Sequence, residues 1–269
     1  MTENIPNRSG DPFTTDDESQ ILNTIDRWLE KDVKDKVLAL DHADEYPTQM
    51  VEQMKSLGLF GATISQRYGG LGMPSASYAK VVTAVSEVWM SLTGIFNSHL
   101  IMAAAVERFG TEEQRQRFLP KFATGEIRGG LALTEPSCGT DLQAIRTKAH
   151  KDGDHYVING AKTWISNGIQ GDCVALLVKT DTEIQPRHKG MSLFLAEKGP
   201  GFSVGPKLKK LGYKGIDSAE LFFDDYVIAA NNLIGGQEGH GFHHTVGGLE
   251  LVRIPAQSEH LFRSKMNTD

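Results

Sequence analysis

The 269-residue chain has only two cysteines, Cys138 and Cys173, too few for a disulfide framework or a cysteine-based zinc site. It has no surplus of basic residues. Asp and Glu number 34 against 28 Lys and Arg, a formal net charge of -6, and no basic stripe stands out, which argues against a nucleic-acid partner. No uncharged apolar run approaches bilayer length, so no spanning helix is expected. The stretch from Met1 to Asp17 is polar and acidic, with neither an apolar core segment nor an arginine-rich amphipathic pattern. Secretion and mitochondrial import are therefore not expected, and a reducing cytoplasm is the expected compartment. What is present is the balance of a soluble globular protein, with 39% hydrophobic and 23% charged residues. That length and composition suit one large domain or two ordinary ones.

The first half of the chain predicts helices. Thr15 with Glu18 reads as a capping box, and Ile21, Leu22, Ile25, Trp28, Leu29 and Val33 then recur at helical spacing. A second helix is expected from Pro47, with Met50, Val51, Met54 and Leu57 on one face and Gly58 as its stop. A third runs from Ser75 to about Trp89 and a fourth from Thr93 to Phe109. Thr111 with Gln114 opens a fifth, expected to stop near Pro120. Near Ile127 the texture changes to short strands. Asp152-Gly153 and Asn159-Gly160 are read as tight hairpin turns, and strand-like runs follow at Cys173–Lys179, Met191–Glu197 and Ala219–Phe223. Helical spacing returns from about Gly241. The expected class is α+β: an N-terminal helical bundle (1–127), an antiparallel barrel-like β-domain (128–240), and the start of a C-terminal helical domain (241–269).

Two segments stand out chemically. Leu131 to Asp141 reads as an apolar strand ending in Thr134-Glu135-Pro136 and a Gly139-Thr140 turn, whose free N–H groups and hydroxyls can hold an anion such as a pyrophosphate. Taken alone it is more simply read as a capped strand end with an exposed loop. Asn159 to Asn167 places Trp164 in an alternating strand, where a core aromatic is the commoner outcome. Together they offer what a planar apolar cofactor needs, an aromatic wall and polar partners at the ring edge.

The pair of segments, in this order and at this separation, resembles the two flavin-contacting strands of the acyl-CoA dehydrogenase family. Tyr68-Gly69-Gly70-Leu71-Gly72, Phe109 to Arg115, Leu211 to Asp224 and Leu233 to Phe242 are similar to further landmarks of that family, so the resemblance covers nearly everything from Ile21 to Arg253. It implies FAD as cofactor and an acyl-CoA thioester as substrate. The backbones of Leu131, Leu133 and Thr134, with the Thr134 hydroxyl, would meet the flavin edge near N5. Gly139 and Thr140 would lie at the phosphates, Thr140 also bordering the acyl-CoA channel. Trp164 would pack on the ring and Ser166 would donate a hydrogen bond near it. Thr140 and Ser166 stand where Ser and Thr are commoner in the family, and each keeps a hydroxyl.

The resemblance also implies a reaction. A carboxylate takes a proton α to the thioester while hydride leaves the β-carbon for the flavin, and an electron-transferring flavoprotein is the expected electron acceptor. A homo-oligomer is expected of a full-length form. Gly248-Leu249-Glu250-Leu251-Val252-Arg253 matches the start of the family's C-terminal domain, which puts Glu250 near the pantetheine and Arg253 near the active site. Most members carry the catalytic base far into that domain. A minority carry it one residue before the arginine, where this chain has Val252. The usual position would fall beyond Asp269, so roughly the last third of a typical member is expected to be missing and activity to be low. A flavin oxidase or monooxygenase of the same fold, and a non-catalytic flavin-binding chain, are the competing readings.

Other signals read plainly. His240, His243 and His244 lack the cysteine or HExxH context of a metal site and are expected at a solvated loop-to-helix junction. Gly199-Pro200-Gly201 lacks the third glycine and following helix of a dinucleotide fingerprint. Lys207, Lys209 and Lys210 suit either CoA phosphates or a solvated basic turn.

Overall fold

A computed structural model describes residues 13–249. Glu250, Val252, Arg253 and Pro255, and with them most of the expected third domain, lie outside the described residues.

The helical region begins with α1 (Thr15–Trp28), which buries Ile21, Ile25 and Trp28. Its capping box is formed by Thr14 and Asp17, one residue earlier than the sequence suggests: Asp17 N donates to Thr14 Oγ1 at 3.1 Å and Thr14 N to Asp17 Oδ2 at 2.9 Å. Glu18 is then free to accept from Ser77 and Lys80. Next come α2 (Val37–Ala43) and α3 (Thr48–Ser56), with Gly58 at φ 71° ending the latter's turn as expected.

The expected third and fourth helices are the two limbs of one long element, α4 (Ser75–Phe109), kinked where Trp89 adopts extended backbone (φ -157°, ψ 102°). The Trp89 indole N–H donates to Asp41 at 3.1 Å, which ties the kink to α2. By length and composition alone α4 could cross a bilayer, but 72% of its most apolar stretch is buried inside the protein, the pattern of a core helix. In α5 (Glu112–Thr124) the capping box of Thr111 and Gln114 forms as expected. Pro120 does not stop this helix, which continues to Thr124 and closes on Gly125 at φ 72°.

Seven strands follow: β1 (Gly129–Ala132), β2 (Lys148–Asp152), β3 (His155–Ser166), β4 (Cys173–Lys179), β5 (Met191–Glu197), β6 (Phe202–Lys207) and β7 (Ser218–Ala229). They form one curled mixed sheet in the order β1-β4-β2-β3-β7-β6, with β5 on the other edge of β4. Most pairs are antiparallel, as expected. The difference is β1, which lies parallel to β4 with Gly129 opposite Cys173 and Ala132 opposite Leu176, and β2 meets β4 in parallel at Lys148 and Lys179. A pattern of short apolar strands does not encode strand direction, so this pairing was invisible in the sequence. The helix α6 (Gly241–Leu249) closes the described part.

The apolar run of β4 follows from burial on both faces. Cys173, Ala175 and Leu177 join the helical core while Val174, Leu176 and Val178 join a second core inside the sheet. β5 does the same with Leu193 and Leu195 against Phe194 and Ala196. The Gly153 turn joins β2 to β3 as predicted. Asn159-Gly160 is not a turn. Both residues lie within β3, at a bulge against β7, where the Asn159 amide exchanges hydrogen bonds of 3.0 Å with Asp225. A Cβ on Gly160 would come within 2.5 Å of Thr147 Oγ1, so close packing rather than a reversal requires the glycine.

Candidate functional site

The two segments singled out in the sequence lie side by side, running in opposite directions. Asn167 Nδ2 donates to Gly129 O at 2.9 Å, at one end, and Thr163 N donates to Thr134 O at 2.9 Å, at the other. Between them, a Cβ on Gly130 would lie 2.7 Å from Ser166 O, so the absence of a side chain there is what lets the backbones meet. Asn167 also donates to Ile95 O at 2.9 Å, which anchors both segments to α4.

Trp164 is not a core aromatic. It is 56% exposed although Lys162, Thr163 and Ile165 around it are buried. The cause is local: β3 shifts register against β7 between Lys162 and Ile165, and Trp164 takes left-handed backbone at φ 59°. A bulky residue in that conformation is unusual and turns its indole outward. Leu131 and Leu133 are half-buried and pack against the helical core, whereas Ala132 between them points into the sheet. Thr134 and Ser166 are half-buried, and Gly139 and Thr140 are exposed on the loop after β1. The structure thus brings Leu131, Leu133, Thr134, Trp164 and Ser166 to one pair of neighbouring backbones, with Gly139 and Thr140 at its end.

Sequence reasoning passed over the pair beneath these residues. Lys162 is fully buried, and its Nζ donates to Glu135 Oε1 at 2.8 Å and Leu133 O at 3.1 Å. Glu135 also accepts from Arg146 N at 2.6 Å and Thr147 N at 3.0 Å. Burial works to raise the Glu135 carboxyl, but the Lys162 charge and these hydrogen bonds outweigh it and hold the group below its ordinary value. Burial pulls the Lys162 ammonium down, opposed by the Glu135 charge. The available signal was a lysine and a glutamate within otherwise apolar strand ends.

His99 was also missed. It is fully buried, with Nε2 3.1 Å from Phe122 O and Nδ1 accepting from Gly129 N at 3.3 Å. Burial pushes its pKa down to about 4, so it is neutral at pH 7 and joins α4, α5 and β1 as a donor and an acceptor.

Two plain readings need correction. His244 is not at a solvated junction: it is buried and stacks on Phe109 with centroids 4.6 Å apart. Lys207 pairs with Asp44, just past the C-terminus of α2, at 2.7 Å, and Lys210 donates to Ile216 O at 2.7 Å, so the first ties β6 to the helical region and the second holds its own loop. An open groove at the α4 kink, lined by Lys34, Leu38, Asp41, Trp89 and Met90, shares no residue with the β1–β3 site.

Residues 15–126 match the model for the acyl-CoA dehydrogenase N-terminal domain, and residues 130–226 the model for the middle domain. The chain belongs to the acyl-CoA dehydrogenase family. It is 36% identical over 242 residues to a short-chain specific acyl-CoA dehydrogenase of Clostridium acetobutylicum, covering 89% of this chain and 63% of that one. It is 33% identical over 244 residues to the mitochondrial isovaleryl-CoA dehydrogenase of Pongo abelii, covering 89% of this chain and 57% of that one. Among solved structures, an acyl-CoA dehydrogenase from Geobacillus kaustophilus superposes with a TM-score of 0.83 at 36% identity, covering 89% of this chain and 63% of the other. A structure described as an electron transferring flavoprotein of Acidaminococcus fermentans aligns with a TM-score of 0.84 at 33% identity, covering 90% and 64%. The chain therefore spans about three-fifths of the length of these relatives. Members of this acyl-CoA dehydrogenase family are flavoproteins.

Proposed function

We propose that this chain carries the flavin-binding part of an FAD-dependent acyl-CoA dehydrogenase, and that its substrate is an acyl-CoA thioester. The observation that carries the reading is the outward Trp164 beside the Thr134–Thr163 strap. An exposed indole, half-buried leucines and free hydroxyls on two joined backbones make one apolar wall with polar groups at its edge, which fits a flavin ring. Bound FAD would supply the hydride acceptor for the substrate β-carbon.

In this reading Leu131, Leu133 and Thr134 present backbone and hydroxyl to the ring edge, Trp164 covers the ring and Ser166 donates beside it. Gly139 and Thr140 meet the phosphates, and Thr140 borders the acyl-CoA channel. Glu250 and Arg253, outside the described residues, are the positions that the family resemblance matches to the pantetheine and the active site. Glu135 is not available as the base, because its carboxylate is buried and already accepts from Lys162, Arg146 and Thr147. Val252 cannot accept a proton. With no base at Glu135 or Val252, the 269 residues alone are expected to bind FAD weakly and to turn over acyl-CoA poorly, with an electron-transferring flavoprotein as acceptor and a homo-oligomer as the assembly.

The test is flavin content of the purified chain after incubation with FAD, followed by anaerobic addition of acyl-CoA thioesters without NADH. Saturable FAD uptake with little bleaching agrees with the proposal. Failure to bind FAD would overturn the flavin reading, and robust bleaching would show that a base other than Glu135 or Val252 lies within these residues. In a parallel aerobic arm, oxidation that requires NADH would point to a monooxygenase of the same fold.

A further inference from the structure

Three backbone segments converge on one buried pair of opposite charges. Lys162 Nζ, on β3, donates to Leu133 O at the end of β1 and to the Glu135 carboxylate. Glu135 accepts from the backbone of Arg146 and Thr147, just before β2. The loop after β1 closes on itself through Glu135 N to Cys138 O at 2.9 Å and Cys138 N to Glu135 O at 3.1 Å. An apolar pair of similar volume would fill the space but make none of the side-chain bonds.

The geometry has a directional consequence. In a trans peptide the carbonyl and the following N–H point to opposite sides. By holding Leu133 O, Lys162 turns the Thr134 N–H away from itself. Thr163 N on Thr134 O then fixes the next peptide plane. Lys162 is also the inward anchor of the bulge from which Trp164 emerges, since the register shift begins at that residue.

We infer that the buried Lys162–Glu135 pair is a positioning device for the flavin: it sets the Leu133–Thr134 backbone from one side and the Trp164 bulge from the other. This rests on the flavin reading of the site. Neither residue is placed against the cofactor, so both act through the groups they hold.

The experiment uses the full chain and the double substitution Lys162→Met with Glu135→Gln, which removes both charges together rather than leaving one buried and unpaired. Two readouts are taken: hydrogen exchange of the Leu133–Cys138 amides without flavin, and FAD affinity with the visible spectrum of the bound flavin. The double variant is expected to exchange that segment roughly tenfold faster while β4 and β5 stay protected. Its FAD affinity is expected to fall about tenfold, with a shifted flavin band. Unchanged exchange would overturn the inference, and so would faster exchange with affinity and spectrum unaltered. If the unsubstituted chain takes up no FAD, the proposed function fails, and the exchange comparison still decides whether the pair holds the segment. Should the double variant not fold, Glu135→Asp carries the same readouts, because it keeps a carboxylate to pair with Lys162 but shortens the side chain that three donors now meet.

Discussion

Thr163 N donates to Thr134 O at 2.9 Å. That bond joins two segments 29 residues apart in sequence, and it places Thr134 one residue from the outward Trp164. Everything proposed about the site depends on this adjacency.

Gly130 sets how closely the segments approach. A Cβ there would lie 2.7 Å from Ser166 O, a backbone atom that cannot swing aside. Gly130→Ala is therefore expected to cost roughly 1–3 kcal/mol of stability, as overpacking does. FAD uptake should weaken with it. Urea unfolding with a midpoint equal to the unsubstituted chain's would show that the close approach is not required.

Trp164 carries strain of its own. At φ 59° a residue with a Cβ is disfavoured by about 1–2 kcal/mol relative to glycine. Because the indole is exposed, little packing is lost on truncation. Trp164→Gly is expected to be at least as stable as the parent, and more stable than Trp164→Ala. A large drop in thermal midpoint for the glycine variant would mean that the side chain packs into a core.

Acid sensitivity follows from His99. Burial lowers its pKa from 6.5 to about 4, so the unfolded chain takes up this proton before the folded one does. The stability that neutral His99 contributes is complete above pH 6.5 and declines as pH falls toward 4, by roughly 3 kcal/mol in all. His244, lowered to about 4 by burial and by His240 and His243, acts in the same direction. His99→Gln keeps one donor and one acceptor and should remove part of the slope. Denaturant unfolding between pH 4.5 and 7 in both chains measures it, and equal slopes would contradict the assignment.

The mechanism predicts a rescue at Val252. In a chain completed by a family C-terminal domain lacking its own base, Val252→Glu is expected to restore measurable acyl-CoA turnover. Loss of a positioned base typically costs about 10²–10⁴ in rate, so the gain should be large enough to follow by dye reduction. No gain would show that this position does not reach the substrate α-proton.

The parts legible in the sequence were those governed by local chemistry. The Thr111–Gln114 cap, the Gly58 stop and the Gly153 turn each depend on residues within a few positions. Long-range pairing was not legible. The parallel fit of β1 on β4, the Glu18 bridge to α4 and the Lys162–Glu135 pair all join residues distant in sequence. Asn159-Gly160 misled because its dipeptide chemistry suits a turn, while the Asn159–Asp225 bonds hold it inside a strand. At the candidate site, the residues facing outward were found through the family resemblance. The buried groups that hold them, Lys162, Glu135, Asn167 and His99, carry no spacing signature.

The most direct test of the central claim is an equilibrium FAD titration of the chain and of its Trp164→Ala variant, with thermal midpoints measured on the same samples. The account predicts saturation near one FAD per chain, affinity lowered about tenfold in the variant, and midpoints that differ little. Equal affinity in the two chains would place the flavin elsewhere and contradict the claim that Trp164 and the Thr134–Thr163 strap form its site.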